Sequence, residues 1–118
     1  MVLNGKVWGK TLEIIKGSSF EVHRIEIYKH HYCSLHKHIH KNNLFFVEKG
    51  NIKIEVHKKE YDLIDETYLF DGDMTIVKPD ELHRFVGIAD KSIVYEIYWV
   101  DNIKDDIIRV KSGGIEND

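Results

Sequence analysis

Of the 118 residues of this chain, eight are histidine, and His30, His31, His36, His38 and His40 crowd into eleven consecutive positions. Imidazole is the commonest metal ligand and titrates near neutral pH, so this cluster is where chemistry is expected first. One residue separates His36 from His38. In an extended strand that spacing sends both rings to one face, and His40 follows if the strand continues. Two such rings can grip one divalent ion through Nε2 atoms at about 2.0–2.1 Å for zinc, if the fold supplies a third ligand. His83, which follows a turn and opens a later strand-like segment, is the candidate. A His-rich stretch can equally be solvated surface, and His23, His30, His31 and His57 are read that way.

Other polar residues near these positions have weaker claims. Asn43 could complete the metal set through its amide oxygen, but amides bind zinc and iron poorly, so holding water or supporting the ligands suits it better. Glu48 lies five residues beyond Asn43, and strand parity sends it to the opposite face. His40 and Glu81 are the candidate bases for moving a proton. Lys41, Arg84 and Arg109 could neutralise an anionic substrate group such as a phosphate. Cys33 reads as an inert buried thiol.

These side chains need strands to position them, and the composition provides for strands. The chain has one alanine and one proline, while Ile, Val, Tyr, Phe and Thr are common, which suits pleated sheet better than helix. Extended stretches are expected at residues 11–16, 20–28, 35–40, 44–48, 51–56, 61–70, 74–77, 83–87 and 92–100. Turns fall at Gly17-Ser18-Ser19, Lys49-Gly50-Asn51 and Asp71-Gly72-Asp73. Many short strands at this spacing predict a sandwich or barrel. A short helix near residues 101–106 has little support. Tyr95, Tyr98, Trp99, Phe45 and Phe46 could line a sugar pocket, although aromatic residues in strands more often form core.

Bulk properties exclude several classes. Hydrophobic residues make up 42% of the chain and charged residues 31%, with a formal net charge of −3. No basic face is available to bind nucleic acid by counterion release. A single cysteine forbids an internal disulfide. No apolar run approaches the ~20 residues of a membrane span, and no signal peptide is apparent. The expectation is a cytoplasmic single domain over residues 1–111 with a flexible tail over 112–118.

The spacing of these residues resembles the motifs of the cupin superfamily. The first motif is His-x-His, four residues, Glu, six residues, Gly. Here His36-x-His38 is followed at those intervals by Asn43 and Gly50. The second is Gly, five residues, Pro, one residue, Gly, two residues, His. Here Gly72 and His83 fit, Lys78 and Asp80 replace the Pro and second Gly, and Pro79 falls one place late. Nearly the whole chain is similar to the C-terminal cupin domain of type II mannose-6-phosphate isomerases. Val7-Trp8-Gly9, His36-Lys37-His38-Ile39-His40-Lys41, Leu82-His83-Arg84, Glu96-Ile97 and Asp105-Asp106-Ile107-Ile108-Arg109 carry that similarity. The family's Gln ligand is His36 here, its Glu ligand is Asn43, and the Arg of its histidine run is Lys41.

The resemblance implies an all-β, single-domain cupin: a double-stranded β-helix, or jelly-roll barrel. It implies a divalent metal at His36, His38 and His83 with Asn43 in the carboxylate position; zinc is foremost, with nickel, manganese or iron as alternatives. It also implies a small-molecule ligand of the sugar-phosphate kind and a homodimer paired through the strand near Trp8 or the sheet carrying Tyr95 to Trp99. Three functions remain open. The first is a sugar-phosphate isomerase or epimerase using the metal as Lewis acid, with His40, Lys41, Glu81 and Arg84 as catalytic candidates. The second is a three-histidine Fe(II) dioxygenase. The third is a non-catalytic sugar-binding or sensing protein.

Overall fold

The computed structural model describes residues 2–101, 106 and 108–116. Nine strands occur among them: β1 Val2–Lys6, β2 Gly9–Lys16, β3 Phe20–Tyr28, β4 Asn42–Lys49, β5 Asn51–Lys58, β6 Leu63–Phe70, β7 Met74–Val77, β8 Leu82–Gly87 and β9 Lys91–Trp99. They form a six-stranded sheet in the order β1-β2-β3-β9-β4-β7 and a three-stranded sheet in the order β6-β5-β8. All pairings are antiparallel. The expected helix near residues 101–106 falls almost wholly outside the described residues. Residues 112–116 are exposed and without regular structure, and the last strand ends at Trp99.

Most turn signals act as expected. Gly50 closes the β4–β5 hairpin with φ +118, in the left-handed region that glycine alone enters cheaply. A Cβ there would meet the Ser92 backbone at 2.7 Å. Between β5 and β6 a single 3-10 turn, Lys59–Tyr61, replaces the start of the strand expected from residue 61.

The main departure is at residues 35–40, where a strand is expected and none forms. The segment between β3 and β4 runs beside β8 and touches it through two isolated bridges, Tyr32↔Val86 and His36↔His83. Ser34, Leu35, His36, Lys37 and His38 still keep an extended course, but from residue 39 the chain bends toward β4. The expected strand period therefore stops before His40.

The two sheets face each other, and the core lies between them. Ile25 and Ile27 of β3, Phe45 and Val47 of β4, Ile52 and Ile54 of β5, Phe85 of β8 and Val94 of β9 are all buried. Along β3 and β9 the inward face changes character. Ile25 and Ile27 share their strand parity with Glu21 and His23, and Val94 shares its parity with Glu96 and Tyr98. One end of the sandwich is thus apolar core, and the other opens as a polar cavity.

The outward face of the three-stranded sheet carries a charge cluster. Glu55 is buried there and accepts hydrogen bonds from Arg84 Nε at 2.7 Å and His57 Nε2 at 3.0 Å, with Lys53 Nζ at 2.9 Å. Burial pushes its carboxyl upward, but these three donors outweigh it and hold the pKa at about 2. His57 is accordingly half-buried in this cluster, not a free surface side chain.

Strand β9 lies between β3 and β4 with both edges paired. The open edges of the six-stranded sheet are β1 and β7.

Two stability outcomes follow. Gly50→Ala should lower unfolding free energy by about 1–3 kcal/mol, read from urea midpoints, because it forces a Cβ into a left-handed position against Ser92. Glu55→Ala should cost about 3 kcal/mol, because it leaves Arg84 and Lys53 without their shared buried carboxylate.

Candidate metal centre

His36 and His83 are fixed by the main chain. The two residues exchange both backbone hydrogen bonds, His36 N–H to His83 C=O at 3.0 Å and the reverse at 2.8 Å. Their rings stand with centroids 4.6 Å apart. His38, two residues on along the extended segment, brings its ring within 5.1 Å of His36 and 5.7 Å of His83. Its carbonyl accepts from Asp80 N–H at 2.8 Å, which ties the segment to the turn before β8. Asp80 occupies the left-handed region, with φ +67. Asp tolerates this region better than most residues.

Tautomers are set by neighbouring carbonyls. His36 Nδ1 donates to Ser34 C=O at 2.7 Å, and His83 Nδ1 donates to Glu81 C=O at 2.8 Å. Each leaves its Nε2 as a bare lone pair, the arrangement that orients imidazoles on metals. Nε2 of His38 and of His83 are buried and have no hydrogen-bond partner. One ligand atom from each of the three histidines lies within 4.8 Å of the other two. Nitrogens sharing a tetrahedral ion stand about 3.4 Å apart, so small side-chain rotations close the set. Burial, and then the neighbouring His36 and His83, press the His38 pKa down to about 4. Burial likewise lowers that of His83. Neutral imidazoles with orphaned buried lone pairs fit a divalent cation.

His36 and His38 line a cavity of about 480 Å³, and the buried His83 ring lies 4.6 Å from that of His36. Across it stand the inward polar residues of β2, β3 and β9: Glu13, Glu21, His23, Glu96 and Tyr98, with Lys6 and Lys41 at the rim. Glu21 accepts from Lys41 Nζ at 3.2 Å and from His23 Nε2 at 3.2 Å. Burial opposes its ionisation, but these bonds prevail and its pKa is lowered. Glu96 is buried and accepts from Asn43 Nδ2 at 3.1 Å. Burial raises its pKa, only partly countered by the hydrogen bonds from Asn43 and Tyr98. Burial, then the Glu96 charge, raises the pKa of Tyr98.

The other expected site residues scatter. Lys41 lines the cavity, 5.5 Å above the Tyr98 ring. Asn43 is buried with its Nδ2 on Glu96 and its Oδ1 unpartnered, a supporting position beside the cavity. His40 is exposed and absent from the cavity wall, because the chain bends before it. Glu81 opens toward a different surface hollow, and its carboxylate accepts from Lys78 N–H, capping the turn. Arg84 alternates with the inward His83 and Phe85, so it points outward to Glu55 and stacks on Tyr32 at 4.7 Å. His40, Glu81 and Arg84 thus lie outside the wall of the cavity that holds Lys41. Arg109 lies in the exposed segment beyond the last strand and does not line the cavity.

His23, read as surface, is a half-buried cavity residue. Glu21 and Glu96 drew no notice as site residues, although both were legible: each is a charged residue in phase with the buried apolar positions of its strand. Of the aromatic candidates only Tyr98 reaches the cavity; Phe45 is core, and Phe46, Tyr95 and Trp99 lie on the far face of the sheet. Cys33 is a buried thiol pushed up to about 12 by burial.

Comparison with known proteins bears on this geometry. No protein-family model matches the chain, and no curated protein matches its sequence. Solved structures do match. KdgF from Halomonas sp. superimposes with a TM-score of 0.73 at 12% identity, covering 86% of this chain and 88% of that one. The capsular polysaccharide assembling protein CapF from Staphylococcus aureus gives 0.72 at 23% identity over 88% of this chain and 31% of that one. The cupin domain of Schizosaccharomyces pombe Cnp3 gives 0.68 at 16% identity, covering 78% and 61%. The fold is a single-domain cupin jelly roll. Within that fold His36, His38 and His83 converge in an arrangement that could hold a metal ion. Among the described residues no helix is long and apolar enough to cross a membrane.

Two outcomes test the centre. His36→Ala or His83→Ala should weaken metal binding at least about 100-fold, measured by metal analysis of untagged protein. In metal-free protein the folded pKa of His38 lies below its unfolded value, so the unfolded chain takes up the proton first. The urea midpoint should therefore fall as pH drops from about 6.5 to about 4, and His38→Gln should flatten that slope.

Proposed function

We propose that this protein is a metal-dependent cupin that isomerises or epimerises a sugar or sugar phosphate. The observation that carries the reading is a three-histidine cluster, two of whose rings line a cavity, facing two carboxyl groups of that same cavity whose pKa values are pushed apart. When bound, the divalent metal, zinc foremost, would supply Lewis-acid polarisation of a substrate carbonyl or hydroxyl. His36, His38 and His83 would hold it, with Nδ1 of His36 and of His83 anchored on main-chain carbonyls. Glu96 carries the proton between adjacent substrate carbons: a raised carboxyl pKa suits a group that must both accept and release a proton near neutrality. Asn43 and Tyr98 hold its carboxylate in place. Glu21 stays ionised and positions Lys41 and His23. Lys41 and Lys6, at the rim, would meet a phosphate or another anionic substituent. Polar groups of both signs beside the Tyr98 face suit a polyhydroxylated ligand.

Proton transfer next to a carbonyl leaves an isotopic trace. Metal-loaded protein in D₂O should incorporate deuterium at the carbon beside the carbonyl in mannose 6-phosphate, fructose 6-phosphate or a related aldose or ketose, followed by NMR. Absence of exchange with zinc, nickel, manganese and iron across such a panel would sink the reading. Glu96→Gln should lower kcat by about 10²–10⁴-fold and remove the acidic limb of the pH–rate profile, with a smaller effect on KM.

One observation favours a second reading. Among the described residues no carboxylate stands with the converging ligand atoms, which suits a three-histidine Fe(II) oxygenase. Oxygen uptake by the Fe(II) form, with no deuterium exchange, would select it.

A further inference from the structure

Beside Glu96 the cavity carries a second group able to move a proton. Strands β3 and β9 pair so that His23 stands directly across from Glu96, and both side chains line the cavity. Opposed residues on neighbouring antiparallel strands hold their Cβ atoms about 4.5–5.5 Å apart, so the two side chains can serve adjacent atoms of one small molecule. Glu21 and His23 stand two residues apart on β3, hence on one face. Their side chains meet, with His23 Nε2 3.2 Å from Glu21 Oε2. An ionised carboxylate only accepts, so Nε2 carries the hydrogen and Nδ1 is left as the lone pair. Glu21 is itself held on its other oxygen by Lys41 Nζ at 3.2 Å. The His23 ring stands edge-on to Tyr98, with centroids 5.9 Å apart. The imidazole is thus fixed in tautomer and direction, as a carboxylate orients the histidine base of a hydrolase. It stands apart from the three imidazoles that converge as metal ligands.

We infer that His23 is a second catalytic residue of this cavity, carrying the hydroxyl proton of the substrate while Glu96 carries the carbon-bound one. The assignment rests on the isomerisation proposed above. Shifting a carbonyl to the next carbon moves two protons, one between the carbons and one between the oxygens. The Glu96 carboxylate takes the hydrogen of the hydroxyl-bearing carbon as a proton. The pair left behind forms the carbon–carbon double bond of an enediolate, and the carbonyl π pair moves onto its own oxygen. His23 Nδ1 then takes the proton of the neighbouring hydroxyl and delivers it to that first oxygen. The pair left on the second oxygen forms the new carbonyl, and the carbon–carbon π pair recovers the proton from Glu96 at the first carbon. Both residues end as they began. Glu21 is a positioning residue here: it orients His23 and faces the positive charge that the ring holds between its two transfers.

The experiment separates the two protons. Metal-loaded protein in D₂O is followed by NMR on whichever sugar of the panel above exchanges fastest, reading deuterium incorporation and conversion to the isomer in one sample. Incorporation requires Glu96 alone, whereas conversion requires His23 as well. His23→Gln should keep incorporation within about 3-fold of the unaltered protein and slow conversion about 100-fold. Glu21→Gln should shift the ratio of the two rates in the same direction by at least about 10-fold. That variant keeps the histidine and its packing, so it carries the test if His23→Gln does not fold. Two results overturn the assignment and leave the isomerase reading standing: conversion by His23→Gln at the unaltered rate, or incorporation and conversion falling together in the variants. Absence of incorporation in the unaltered protein removes the isomerase reading itself, and the assignment with it.

Discussion

The reciprocal main-chain pairing of His36 with His83 is the constraint on which the centre depends. It joins a segment that belongs to no strand to β8, an edge strand of the smaller sheet, and it does so with backbone groups that any residue could provide. Side-chain identity then matters only for what projects from that frame. Because the frame is extended on both sides of the bridge, His38 falls beside His36 with no regular ladder to support it. Because Nδ1 of His36 and of His83 is spent on carbonyls two residues back, their Nε2 atoms are left bare.

A second constraint is the cost of burying charge. The sandwich admits Glu21, His23, Glu96, Asn43 and Tyr98 to its inward face only where they satisfy one another. Glu21 is paid in ion pairs and stays charged, while Glu96 receives neutral donors and resists ionisation. The same residue type thus acquires opposite tendencies a few ångströms of sheet apart. Glu55 shows the alternative on the outer face, where three cationic or donating neighbours hold a buried carboxylate ionised and give it a structural part only. The cost of desolvation, and who offsets it, separates the carboxyl groups suited to proton transfer from those that brace the fold.

Much of this was legible in the residues. The shortage of alanine, the alternating strands and the turns at Gly50 and Gly72 give an all-β sandwich, and the cupin-like spacing selects His36, His38 and His83. His40, Glu81 and Arg84 lie away from the cavity for separate physical reasons. His40 was placed by extending a strand period that the chain leaves at residue 39. Arg84 follows the inward His83, and adjacent residues in a strand face opposite ways. The Glu81 carboxylate is consumed in capping its own turn. Glu21 and His23 are hard to place from sequence because Phe20 and Val22, apolar but outward, set the apparent phase of β3.

What the sequence determines by itself is periodicity and local backbone preference: which segments extend, where glycine must turn them, and which histidines share a face. Those depend on neighbours one to four positions apart. Only the tertiary structure decides which face of each strand is the inside, because an apolar outer face and a partly polar inner face leave the two parities indistinguishable by hydropathy. It also decides which groups lose water together. Burial sets the protonation of His38, His83 and Glu96, and burial is a property of the closed sandwich and of no single strand.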